Sequence, residues 1–162
     1  MAQSNATELD AIELLKQDHR KVEDLFNEFE KLKDDDEAAA TVVIESACAE
    51  LQIHDKIETE IFYPALRGEE EVEDLLDEAE VEHDTVRELI DKLEGMELDD
   101  PKRLAHFTVL MEYVKHHVEE EEKEMFPKVQ KMKELDLDAL GVEMKERQTE
   151  LMAEMGLETE KA

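Results

Sequence analysis

Six side chains of metal-binding type recur in this sequence as two matched sets. His19 is followed by His54 and, four residues on, by Glu58; His83 is followed by His117 and, four residues on, by Glu121. The paired histidines stand 35 and 34 positions apart, and each glutamate precedes a proline, Pro64 or Pro127, by six. Imidazole suits Fe, Zn, Cu and Ni, while carboxylates favour harder ions. Four imidazoles and two carboxylates exceed what one tetrahedral ion takes. Two ions about 3.5–4 Å apart would let each glutamate bridge while the histidines complete the shells. The lone cysteine, Cys48, lies off the ligand stripe, which excludes a structural Zn–Cys site and leaves Cys48 as a small buried hydrophobe. Iron satisfies both donor types, ahead of manganese or zinc, and the expected cofactor is an oxo- or hydroxo-bridged pair of iron ions.

Such a site needs helices that aim all six side chains inward. Ile12, Leu15, His19, Val22, Phe26 and Phe29 follow steps of three and four, and Thr7 with Asp10 offers an N-cap. A second stripe runs Val43, Ala47, Leu51, His54, Glu58, Ile61 and Ala65, ending near Gly68. A third runs Val72, Leu76, Ala79, His83, Val86, Ile90 and Leu93, ending near Gly95. Glycine is the usual residue just past a helix end, where it takes the left-handed conformation. Asp100-Pro101 signals the start of a fourth helix, with the stripe His106, Leu110, Tyr113, His117, Glu121, Met125 and Val129. Pro64 and Pro127 predict a kink or stop. A last segment with Leu137, Leu140, Met144, Leu151 and Met155 packs outside the bundle. Short connections make neighbours antiparallel. The fold expected is all-α: an up-down-up-down four-helix bundle over about 8–133 and a C-terminal amphipathic helix over about 136–156, one domain across 1–162.

Each of the six polar residues falls on a stripe assigned to the core. A buried unpaired carboxylate costs several kcal/mol, and two close together cost more. Positive charge has to lie between them. His106, about 16 Å along the helix from His117, belongs to the bundle end, and His116 points into solvent.

The doubled His…His-x-x-x-Glu pattern, with Glu58-x-x-x-Phe62-Tyr63-Pro64 and Glu121-x-x-x-Met125-Phe126-Pro127, resembles the hemerythrin-like (HHE cation-binding) domain family from about Leu9 to Lys133. The resemblance implies that His19, His54, His83 and His117 ligate two irons bridged by Glu58 and Glu121. In oxygen carriers of that family a fifth histidine lies one turn from the first on the third helix. Here those positions hold Ala79 and Arg87. Glu50 and Glu80 are candidates to replace it, and Tyr113 is a candidate hydrogen-bond donor to the site.

The formal net charge of −29 argues against nucleic acid or an anionic membrane as partner. No signal peptide or membrane-length apolar run is apparent, and the expected location is cytoplasmic. The partner expected is a small molecule: dioxygen, nitric oxide or a related oxidant, bound for scavenging, sensing or carriage. A peroxide- or nitrogen-oxide-detoxifying enzyme and an iron storage or handling protein remain alternatives.

Overall fold

A computed structural model describes residues 8–157, all of its regular structure helical. Four long rods form the bundle. They are α1 (Ala11–Leu32), α2 (Glu37–Ile57) continued into α3 (Tyr63–Leu66), α4 (Glu73–Glu94), and α5 (Arg103–Glu120) continued into α6 (Phe126–Gln130). The rods alternate in direction, and α7 (Leu137–Glu154) lies outside against α1 and α2.

Asp10 caps α1, its side chain accepting from Glu13 N while Glu13 reaches back to accept from Asp10 N. Thr7, the other half of the expected cap, lies outside the described residues. Gly68 takes the left-handed conformation with φ 99°, as a helix-ending glycine does. Gly95 does not: its φ is −89°, and its N–H closes an ordinary last turn onto Asp91 O at 3.2 Å. Asp100 caps Lys102 N, so α5 begins two residues later than Asp100-Pro101 predicts. Gly141 on α7 meets the start of α1 so closely that a Cβ there would lie 2.8 Å from Asp10 C.

Neither Pro64 nor Pro127 stops its rod. Each rod instead widens into a π-helical turn, Glu58–Phe62 and Glu121–Met125, in which Tyr63 N and Phe126 N bond back five residues to Glu58 O and Glu121 O. Proline lacks an N–H and clashes with the carbonyl four residues back, and a widened turn relieves both. The extra residue also shifts the helix phase. Phe62, Tyr63 and Leu66 face inward, while Ile61 and Ala65, on the expected stripe, are only half-buried. On α5 the inward stripe is Phe107, Leu110, Val114 and His117, which leaves Tyr113 46% exposed. Two apolar layers result. One gathers Phe62, Phe126, Leu66, Leu76 and Met144 at the proline end. The other gathers Phe26, Phe29, Phe107 and Ile90 at the far end. The polar site lies between them.

Candidate metal centre

All six expected side chains are buried, and they converge. His19 and His54, on α1 and α2, meet Glu58 and Glu121, the first residues of the two π turns. His83 and His117, on α4 and α5, meet the other oxygen of Glu58. The separations are 3.2 Å for His19 Nε2–Glu121 Oε1, 3.3 Å for His54 Nε2–Glu58 Oε2, 2.9 Å for His83 Nε2–Glu58 Oε1 and 3.5 Å for His117 Nε2–Glu121 Oε2. Two donors about 2.1 Å from one ion and at right angles stand about 3 Å apart. The spacing fits donors sharing an ion.

The donor set also passes a test of satisfaction. Buried polar atoms almost always have a hydrogen-bond partner. Among the described residues four buried side-chain atoms do not: His19 Nε2, His54 Nε2, Glu58 Oε2 and Glu121 Oε1. All four belong to one cluster and face one another. A cation between them satisfies all four at once.

A seventh residue enters the second cluster. The Tyr63 hydroxyl donates to Glu121 Oε2 and lies 3.0 Å from Glu58 Oε1, 3.2 Å from His83 Nε2 and 3.4 Å from His117 Nε2. Burial and the two carboxylates push its pKa well above the usual phenol value, so without a cation it stays protonated. Its counterpart in the other half, Phe126, has no hydroxyl and stacks on His19 at 6.0 Å. The expected substitutes for a fifth histidine, Glu50 and Glu80, lie elsewhere: Glu50 pairs with Lys21 and exposed Glu80 with Arg67. Tyr113, the expected hydrogen-bond donor, is 46% exposed.

Each histidine turns its other ring nitrogen to a carboxylate on a neighbouring helix. Nδ1 of His19 meets Glu122 at 2.6 Å, His54 meets Asp18 at 3.1 Å, His83 meets Asp55 at 2.6 Å and His117 meets Glu82 at 2.6 Å. The chain of contacts closes around the bundle, each rod holding the next rod's imidazole. Such partners fix the tautomer, leave Nε2 free for a metal and raise its basicity. Burial opposes protonation of His54 and His117, but Glu58 and Asp18 on one, Glu121 and Glu82 on the other, hold both pKa values well above the ordinary range. Burial likewise opposes ionisation of Glu58, and His54, His117 and His83 together keep its pKa well below the usual carboxylate value.

Most of these carboxylates are themselves held. Arg87, one turn beyond His83, grips Asp55 through Nε and Nη2, both at 2.9 Å. Arg20 bonds Glu122 at 2.6 Å. Gln148 of α7 donates to Asp18 at 3.1 Å, tying the outer helix to His54. Ala79, the other position one turn from His83, is buried in the proline-end layer. His116 is 65% exposed at its side chain, and Cys48 is buried with its thiol pushed up to about 12, chiefly by burial.

A helical bundle with paired His/Glu clusters at its centre defines a cation-binding protein. The model of the hemerythrin HHE cation binding domain matches residues 10–129. The chain belongs to that family. A crystal structure of a hemerythrin HHE cation binding domain-containing protein from Mycobacterium kansasii is similar in fold, with TM-score 0.74 and 24% identity over 90% of this chain and 89% of that one. A comparison with curated proteins finds no match. Among the described residues no helix is long and apolar enough to cross a membrane.

Proposed function

We propose that the protein is a non-haem di-iron protein that binds dioxygen, nitric oxide or a related small oxidant at a carboxylate-bridged site. The observation that carries this reading is the group of four unpartnered buried atoms on His19, His54, Glu58 and Glu121. These residues would hold one iron. His83, His117 and Tyr63 would hold the other, with Glu58 and Glu121 reaching both. Bound there, the iron pair would supply electrons and Lewis acidity to a small oxidant.

The chain's own residues prepare the site for that chemistry. Glu58 and Glu121 offset cationic charge in a setting where an unpaired charge is costly. Asp18, Asp55, Glu82 and Glu122 keep the four imidazoles in the metal-binding tautomer. The apolar layer at the proline end limits water on that side.

Tyr63 favours a second reading. A phenol oxygen is a harder donor than imidazole and suits the more highly charged ferric state. That preference works against reversible carriage and towards turnover of peroxide or a nitrogen oxide.

Anaerobic reduction of the purified protein, followed by dioxygen, nitric oxide or peroxide under a visible spectrometer, tests both readings. Two irons per chain and a saturable adduct are expected. Sustained peroxide consumption would select the second reading. Fewer than one iron per chain, or a spectrum unmoved by all three additions, would overturn both, and iron release on oxidation would point to iron handling.

A further inference from the structure

A cavity of about 410 Å³, partly open to solvent, lies on the side of the four histidines away from the prolines. His19, His54, His83 and His117 form its floor. Glu58, Glu121 and Tyr63 are not part of its lining, so it is distinct from the space between the metal-facing donors. Its walls are Val22, Leu51, Val86, Ile90, Val114 and Val118. The sequence explains the space. The layer next to the histidines is built mainly of valines, while the phenylalanines Phe26, Phe29 and Phe107 fill the layer beyond. The last turns of α7 reach the cavity's edge through Leu151, Glu154 and Met155.

Its size does not match a diatomic. One water takes about 30 Å³ in the liquid, and a molecule of two heavy atoms needs space of that order. The observed volume falls instead within the ~300–1,000 Å³ of pockets that enclose organic ligands, which are likewise mostly apolar with a few converging polar groups. The charges around this one limit what can enter. Besides the four histidines, Asp18, Asp55, Glu82, Asp91 and Glu154 line it against Lys56 and Arg87, in a chain of net charge −29. The four imidazoles are already paired with Asp18, Asp55, Glu82 and Glu122, so the carboxylates in excess around the cavity disfavour an organic anion.

We propose that this cavity binds a neutral, largely apolar organic molecule with one polar end, the apolar part against the valine walls and the polar end toward the histidine floor. The proposal deepens the di-iron reading, on which it rests for what lies beyond that floor: the partner that reacts with the small oxidant at the centre would be organic and uncharged.

Nile red, a neutral apolar dye, is the probe, titrated into the iron-loaded full chain with fluorescence as readout. Saturable binding of one dye per chain is expected. 1-Decanol should displace it, while decanoate at pH 8 should be at least tenfold weaker. Val86→Trp, on a half-buried wall, and Val114→Phe, on the neighbouring helix α5, should each weaken dye binding at least tenfold while iron per chain and helical circular dichroism stay at wild-type levels. Non-saturable dye binding, equal affinity in both filled variants, or equal displacement by decanoate would overturn the proposal, whatever the iron content. Low iron content with intact, decanol-sensitive dye binding would instead count against the di-iron reading alone.

Discussion

Tyr63→Phe removes one oxygen atom from the centre of the bundle and leaves the ring in place. Tyr63 is 3% exposed, so no water replaces the hydroxyl. In the metal-free protein Glu121 Oε2 loses its donor, and Glu58 Oε1 loses a contact at 3.0 Å. A hydrogen bond to a charged group contributes about 1.5–3 kcal/mol. A loss near ~2 kcal/mol changes the folding equilibrium about 30-fold, and for a chain of this size lowers Tm by roughly 4–8 °C. Because the phenol is held well above its usual pKa, this loss should be the same at pH 6 and pH 8. In the iron-loaded protein the same change removes an oxygen donor, with loss of any phenolate-to-iron colour and faster release of one of two irons to a chelator. Thermal unfolding after chelation, iron analysis and the visible spectrum read these outcomes separately. A variant with wild-type Tm, two retained irons and an unchanged spectrum would refute the placement of Tyr63 in the donor set.

Gln148→Ala should weaken iron retention roughly tenfold through Asp18 and His54, at the low end of the range for such outer partners, as followed by chelator competition with little change in helicity. Gly141→Ala should destabilise the fold by about 1–3 kcal/mol, the usual cost of overpacking, because the new Cβ meets the Asp10 backbone at 2.8–2.9 Å; denaturant titration checks it. Glu122 is lowered to about 2, first by the hydrogen bond from His19 and further by Arg20, against partial burial. A depressed carboxylate stabilises the fold above its unfolded pKa, about 4.3, and loses that contribution as pH falls towards the folded value. Chelated protein should therefore lose stability between pH about 4 and about 2, and Glu122→Gln should flatten that slope in denaturant midpoints.

The helices and the convergence of six donors were legible because a helix places residues four apart on one face, and His54/Glu58 and His117/Glu121 obey that spacing. Tyr63 was not legible by the same rule. From Glu58 the α period leads to Ile61 and Ala65, and only the π turn brings Phe62 and Tyr63 inward. The available signal was Pro64 itself, since a proline inside a helical pattern requires the preceding turn to rearrange. The histidine-holding carboxylates left another trace. Asp18, Asp55, Glu82 and Glu122 each sit next in sequence to one of the six donors, turned about 100° towards the neighbouring rod. Among 48 acidic residues that adjacency carries little weight until the rods are packed. Tyr113 was misplaced for a simpler reason: on α5 the inward stripe passes through Val114, and His117 belongs to that stripe as readily as to the one through Tyr113.

The doubled His…His-x-x-x-Glu pattern provides two matched half-sites, and single residues make them unequal. Tyr63 supplies an oxygen to the His83/His117 half, while Phe126 gives the His19 half only an aromatic face. Asp55 follows His54 directly, but Val118 holds the matching place after His117, and Glu122 on the π turn takes the corresponding role. All four unpartnered atoms lie in the His19/His54 half. On the proposed assignment that half offers four donors and the other five. Exchange with an incoming small molecule is then expected at the His19/His54 position, with the Tyr63 side held as the saturated, harder partner. Azide added to the oxidised protein should in that case perturb one iron and not the other. Equal perturbation of both would show that the difference between Tyr63 and Phe126 does not divide the roles of the two halves.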